Sequence, residues 1–336
     1  MNKSSRIFIA GASGMVGSAI VRNLVDKGFT NIVGNYHTRE PGENSDLPVD
    51  MFRLDLRNQA DVARFFKNHL PDYVFLAAAR VGGIHANNTW PAQFIHDNLV
   101  MQTNIIHAAY ENDVKRLLFL GSSCIYPKES PQPMKEEHLL TGVLEPTNEP
   151  YAIAKIAGIK MCEAYNRQYG TQYIAVMPTN LYGPNDNFDL ESSHVLPALI
   201  RKFHEAKVND SKRVMIWGTG SPRREFLHVD DMADGSVFAM SLPDSDVKKH
   251  LTAYPSPCFV NLGTGIDLTI MDLAHLVRDT VGFKGTLEFD TSKPDGTMKK
   301  LLNVSRLEHL GWKARISLEN GIESTYRWFL RHLSES

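Results

Sequence analysis

At 336 residues, with 43% hydrophobic and 22% charged side chains, the chain is long enough to bury a full core and has the composition of an ordinary globular protein, as one large or two modest domains. Its 36 basic and 38 acidic residues leave a net charge of −2, which gives no electrostatic footing on nucleic acid or on an anionic membrane, so any anionic ligand must be held by local groups. Cys124, Cys162 and Cys258 are far apart and odd in number, with no metal spacing and no disulfide framework; together with the lack of any apolar run of membrane-spanning length, this leads us to expect a cytoplasmic protein without a metal site.

The predicted elements begin with Arg6-Ile7-Phe8-Ile9-Ala10, an unbroken apolar run of the kind found in a buried parallel strand. Gly11-Ala-Ser13-Gly14-Met15-Val16-Gly17 follows, then a helical pattern through Val25 that stops near Gly28. Strand, spaced glycines and helix form the context of a dinucleotide site: the glycines admit the pyrophosphate and the helix N-terminus faces its charge. Residues 31–36 read as a second strand. An NAD-preferring site would end it with an acidic residue; here His37-Thr38-Arg39 follows, and Arg39 suits a 2′-phosphate, which favours NADPH. A polar excursion leads to a third strand over Met51–Leu56, whose Asp55 is placed either to bond adenine or to cap a helix beginning near Asn58.

A fourth strand, Asp72–Leu76, runs out into Ala77, Ala78 and Ala79, small residues that let a ribose lie against the backbone. Residues 88–112 are mostly helical, and a fifth strand over 116–121 carries Ser122-Ser123-Cys124 at its carboxyl end, where open α/β sheets bind ligands. Cys124 reads equally as buried packing or as a base. A proline-rich stretch over 127–150 makes a substrate-side loop and ends at Tyr151-Ala-Ile-Ala-Lys155. Residues four apart on a helix share a face, so the Lys155 ammonium is expected to lower the pKa of the Tyr151 phenol and make it a working proton donor. A sixth strand over 172–177 breaks at Pro178-Thr179-Asn180-Leu181, where a nicotinamide would lie. Beyond this the alternation loosens: helices over 194–206, 230–240, 270–281 and 318–333, short strands over 214–217, 225–229 and 286–289, and a polar connection over 243–257. The expected fold is α/β, a doubly wound parallel (Rossmann) sheet over residues 1–182 with a smaller α+β substrate domain over 183–336, some later segments packing back on the sheet.

With the glycine loop, Ser122, Tyr151 and Lys155 placed, the chain resembles the extended short-chain dehydrogenase/reductases. Four runs, Leu120–Pro127, Glu145–Lys155, Val176–Pro184 and Arg224–Asp231, with Ser292-Lys-Pro-Asp-Gly296, narrow the resemblance to the GDP-L-fucose synthase family. That resemblance implies NADPH-dependent epimerisation at C3 and C5 of a GDP-4-keto-6-deoxyhexose followed by reduction at C4. It puts the catalytic set on Ser122, Tyr151 and Lys155 and the epimerisation pair on Cys124 and His194. Sugar-nucleotide contacts fall on Ser123, Cys124, Asn180, Lys202, Trp217, Arg224, Asp295 and Lys300. NADP(H) is expected against Gly11, Ser13, Gly14, Met15, Val16, Gly17, Arg39, Asp55, Leu56, Ala77, Ala78, Ala79, Leu120, Ser122, Tyr151, Lys155, Pro178, Asn180, Leu181 and His194. Trp217 reads either as a guanine platform or as core, and His194 either as an acid or as a mere helix-start contact. The sequence departs from some family members in having Ser13 where they carry a basic residue, and in a long segment between His37 and Asp55. The family usually pairs through long helices into a four-helix interface, so the resemblance implies a homodimer through the stretches near 91–112 and 151–169. Two other readings share the fold: a GDP-ketosugar 4-reductase with one epimerisation or none, and a catalytically silent NADP-binding regulator.

Overall fold

The computed structural model describes residues 1–38, 49–190, 192–292 and 295–333. Its centre is a parallel sheet of seven strands, assembled from β1 (Ile7–Ala10), β2 (Ile32–Tyr36), β3 (Asp50–Arg53), β4 (Tyr73–Leu76), β5 (Arg116–Leu120), β6 (Tyr173–Pro178) and, much later in the chain, a strand over Phe259–Leu262. β1 and β5 are buried along their whole length, as strands covered on both faces must be. The helices between them are α1 (Met15–Asp26), α2 (Gln59–His69), α3 (Ile84–Thr89), α4 (Pro91–Glu111) and α5 (Glu149–Tyr169). The third strand is shorter than its sequence suggests: the Leu54 N–H still donates to the Tyr36 carbonyl at 2.9 Å, but the Asn58 N–H then turns back onto the Asp55 carbonyl at 3.0 Å, and the Asn58 side chain accepts the Ala60 and Asp61 N–H groups and caps α2. α5 stops at Gly170, which adopts φ 70°, a left-handed value that glycine meets without strain.

The second half of the chain contributes β7 (Asn180–Tyr182), α6 (Val195–Val208), β8 (Arg213–Trp217), β9 (Arg223–His228) and α7 (Val229–Ser241). The stretch over 243–257, expected to be irregular, contains the short turn α8 (Asp244–Asp246) and a wide helical turn over Val247–Leu251. β10 (Phe259–Leu262) then lies beside β6, with Phe259 opposite Ala175, and completes the sheet in the order β10-β6-β5-β4-β1-β2-β3. The rest is β11 (Asp267–Thr269), α9 (Ile270–Val281), β12 (Thr286–Asp290), β13 (Lys299–Lys300), α10 (Ser305–His309) and α11 (Leu318–His332).

Three apolar clusters hold these layers together. One joins α2, α4 and α5 to one face of the sheet through Phe8, Phe66, Phe119 and Ile159. A second joins α1 and α7 to the other face through Ile9, Leu24, Leu118 and Met232. The third, around Phe203, Leu273 and Phe329, lies away from the large sheet between α6, α9 and α11. Residues such as Phe119 and Leu24 are fully or almost fully buried, each worth about 1.5–3 kcal/mol of transfer free energy. That interior holds the carboxyl ends of β1, β4, β5 and β6 in fixed relation, and the site is built there.

Candidate active site

Two regions meet at those strand ends. The first is a cavity of about 560 Å³ lined by the glycine loop, the alanines after β4 and the segment after β3. Gly11 has φ 87°, and a Cβ there would stand 2.9 Å from the Ala78 backbone; a Cβ on Gly17 would run into the Gly11 carbonyl oxygen. The N-terminus of α1 has no side-chain cap at Gly14, so its free N–H groups remain for an anion. Gly11, Ser13, Gly14, Met15, Val16, Gly17, Asp55, Leu56, Ala77, Ala78 and Ala79 all line the cavity. Loop, small residues and bare helix end fit a dinucleotide.

Sequence reasoning missed several lining residues. Asn35, nearly fully buried, accepts the Gly11 N–H at 2.8 Å and donates to the Leu54 carbonyl at 3.0 Å, pinning the glycine loop to the third strand; a lone polar residue within an apolar strand was its only signal. Arg57 donates two bonds to Asp55, at 3.0 and 2.9 Å, and His37 Nε2 lies 3.3 Å from the same carboxylate. The hydrogen bond from Arg57 holds the Asp55 pKa down to about 2. Asp55 is therefore charged but compensated, which lessens its repulsion of a 2′-phosphate. It does not cap α2; Asn58 does. Arg39 lies outside the described residues.

The second region surrounds Ser122. Its Oγ accepts the Cys124 N–H at 3.4 Å and shares a hydrogen bond with Tyr151. Lys155, 3% exposed, lies beside the Tyr151 ring as helix spacing suggests, but its hydrogen bond goes elsewhere. Its Nζ donates to the Leu120 carbonyl at 2.8 Å and lies 4.9 Å from the Phe119 ring centroid and 5.7 Å from that of Tyr151. The expected fall in the Tyr151 pKa is overturned: burial pushes it well up, the nearby Cys124 adds to this, and the Ser122 hydrogen bond only partly offsets both. At rest the tyrosine is a neutral O–H. Burial also lowers Lys155, to about 8. Cys124 is a buried thiol rather than a thiolate: desolvation raises its pKa, while Ser122, Lys300 and Lys155 pull it back.

His194 stands at the N-cap of α6 with part of its surface open to solvent, and desolvation of its ring lowers its pKa. Ser192, two residues before it, accepts the Gly83 N–H at 3.1 Å, which ties His194 to the loop beyond the alanines. Asn180 donates its side-chain N–H to the Glu225 carbonyl at 2.8 Å. Pro178 ends β6 and Leu181 lies in β7, and Ser123 begins the turn after Ser122.

The cations expected for a substrate line one side of this region. Lys300 pairs with Arg224 across β13 and β9 and interacts electrostatically with Cys124. Asp295 accepts the Thr219 N–H at 2.9 Å and its hydroxyl at 2.7 Å, and its field reaches Arg224. Trp217 is 61% exposed, which disposes of the core reading, and the Lys202 Nζ stands 5.1 Å from its ring centroid.

The sequence profile described as "NAD dependent epimerase/dehydratase family" matches residues 7–253. The chain belongs to this family. Among its relatives are the putative GDP-L-fucose synthase 2 of Arabidopsis thaliana, 56% identical over 99% of this chain and 94% of that one, and the GDP-L-fucose synthase of Escherichia coli K12, 55% identical over 97% of each. A solved structure of MlghC, a GDP-mannoheptose C4 reductase from Campylobacter jejuni with NADP bound, shares 41% identity and superposes with a TM-score of 0.85, covering 98% of this chain and 99% of that one.

Proposed function

We propose that the protein is an NADPH-dependent enzyme that epimerises GDP-4-keto-6-deoxy-D-mannose at C3 and C5 and reduces its C4 ketone, giving GDP-L-fucose. The observation that carries this reading is the clustering of Ser122, Cys124, Tyr151, Lys155 and Lys300 at one strand end, in a chain with relatives of that activity on each side of half identity. The C4 ketone acidifies the hydrogens on C3 and C5. Cys124, with its proton lost to solvent or to His194, removes one; the Tyr151 and Ser122 hydroxyls hydrogen-bond the enolate oxygen. A proton returned by His194 on the opposite face inverts the carbon. The glycine loop would hold NADPH, with Arg39 as the candidate partner for its 2′-phosphate, and the bound cofactor would supply the hydride for C4. Tyr151 gives its O–H proton to the C4 oxygen, and the Lys155 ammonium stabilises the phenolate left behind. Arg224, Lys300 and Lys202 hold the diphosphate, Trp217 stacks on guanine, and Asp295 and Asn180 complete the substrate side.

The division of labour is a cofactor-binding unit over 1–182 and a mainly substrate-binding unit over 183–336. A dimer through α4 and α5 accounts for the exposed Ile153 and Tyr169 on α5, beside Tyr110 stacked 4.2 Å from Tyr169. No described helix is long and apolar enough to cross a membrane, and the three free thiols suit the cytoplasm. The test is the reaction run in heavy water with the GDP-ketosugar and NADPH, followed by mass and proton spectra of the product. Deuterium at both C3 and C5 is expected. Reduction without label at either carbon makes the protein a C4 reductase like its heptose neighbour, and NADPH oxidation at background with every GDP-ketosugar returns it to a silent NADP binder.

A further inference from the structure

Glu225 has no part in the reaction above, yet its burial and bonding are unusual. It is 0% exposed and follows Arg224 in β9, so strand alternation sends the two side chains to opposite faces. Its Oε1 accepts the Thr264 N–H at 2.6 Å, the Gly265 N–H at 2.8 Å and the Thr264 hydroxyl at 3.4 Å. Its Oε2 accepts the Leu302 N–H at 2.9 Å. Its backbone carbonyl accepts the Asn180 amide at 2.8 Å and the Thr179 hydroxyl at 3.2 Å. One residue thus joins β9, the end of β6, the turn after β10 and the segment that leaves β13. Gly263 has to lack a side chain, because a Cβ there would collide with Oε1.

The reason for such a knot lies in β13. It is only Lys299–Lys300, paired with Arg223 and Arg224, too short to fix its own register. The Leu302 bond to Glu225 anchors it two residues beyond Lys300. We infer that Glu225 is a positioning residue, a buried carboxylate that sets Arg224 and Lys300 side by side so that both reach the diphosphate of the substrate. The inference rests on the substrate reading given above.

The test is Glu225→Gln in the full chain, with GDP as the probe, titrated by calorimetry. The amide keeps the size but must turn its NH2 towards either the Leu302 N–H or the Thr264–Gly265 pair, donor against donor. The GDP dissociation constant is expected to rise about tenfold or more, that of NADPH to stay within about twofold, and kcat at saturating substrate to fall less than about threefold. In an Arg224→Ala/Lys300→Ala background the same substitution should change GDP affinity less than about twofold, because its route of action is gone. Unchanged GDP affinity in Glu225→Gln, or an equal loss in the background lacking both cations, overturns the inference. Should the Gln variant fail to fold, Glu225→Asp, which withdraws the carboxylate by one methylene, is held to the same two criteria. Native protein that binds NADPH but not GDP overturns the substrate reading itself, and the inference with it.

Discussion

The position of Lys155 makes a quantitative prediction about pH. Its ammonium is buried against Phe119 with one carbonyl partner, and that desolvation brings its pKa from 10.5 to about 8. Lysine assists proton donation by Tyr151 only while charged, so the active form is present below about pH 8 and is lost as pH rises through it. At one unit above, about a tenth remains protonated, and kcat/KM for NADPH should fall about tenfold per further unit. Tyr151 cannot supply this limb, because its pKa is pushed well above the working range. The assay is the initial rate of NADPH oxidation from pH 6 to 10 with the cofactor varied, so that the profile reports the free protein. Lys155→Met should lower the rate by about 10²–10⁴-fold and flatten the profile above pH 8. A native profile level to pH 10, or a Met variant that keeps the alkaline limb, would refute the assignment.

Two further substitutions probe the neighbouring chemistry. Cys124→Ser replaces an ionisable thiol by a hydroxyl that stays protonated; deuterium uptake at C3 and C5 should drop about 10²-fold or more, while reduction of an already epimerised ketosugar persists within several-fold, and a parallel loss of both would remove Cys124 as a base. Asp186 has one buried oxygen without a hydrogen-bond partner among the described residues, and burial raises its pKa from 3.8 to about 7. The folded state therefore holds this proton more tightly than the unfolded chain, and the stability it confers is lost as pH rises from about 4 through 7. Asp186→Asn should melt at a higher temperature than the native protein at pH 8, with the difference closing towards pH 5; a difference independent of pH would show that ionisation of Asp186 is not the cause.

Much of the site could be read locally. The glycine loop sits between a strand and a helix, and Ser122 ends an apolar run, so three or four adjacent residues carry each message. The direction of the Tyr151 pKa could not be read that way, because it depends on the Leu120 carbonyl taking the Lys155 ammonium and on how deeply both are buried. β10 is not legible because three apolar residues broken by Asn261 after a long polar connection fit a strand or a helix equally well, and β13 is too short to show any period. Arg57 carries no local signal at all; only its bonds to Asp55 place it in the cofactor cavity. Trp217 shows the limit of residue type alone, since its exposure decided between two readings the sequence left level.

The late arrival of β10 has a consequence for biosynthesis. β6 is buried along its whole length and takes β10, some eighty residues downstream, as its neighbour. A nascent chain that has emerged only as far as Pro178 carries an apolar strand with an open hydrogen-bonding edge, which invites pairing with other chains. The nucleotide-binding half is therefore not a self-sufficient module that could be cut free at its apparent boundary, and its sheet closes only once the chain has been made as far as Leu262.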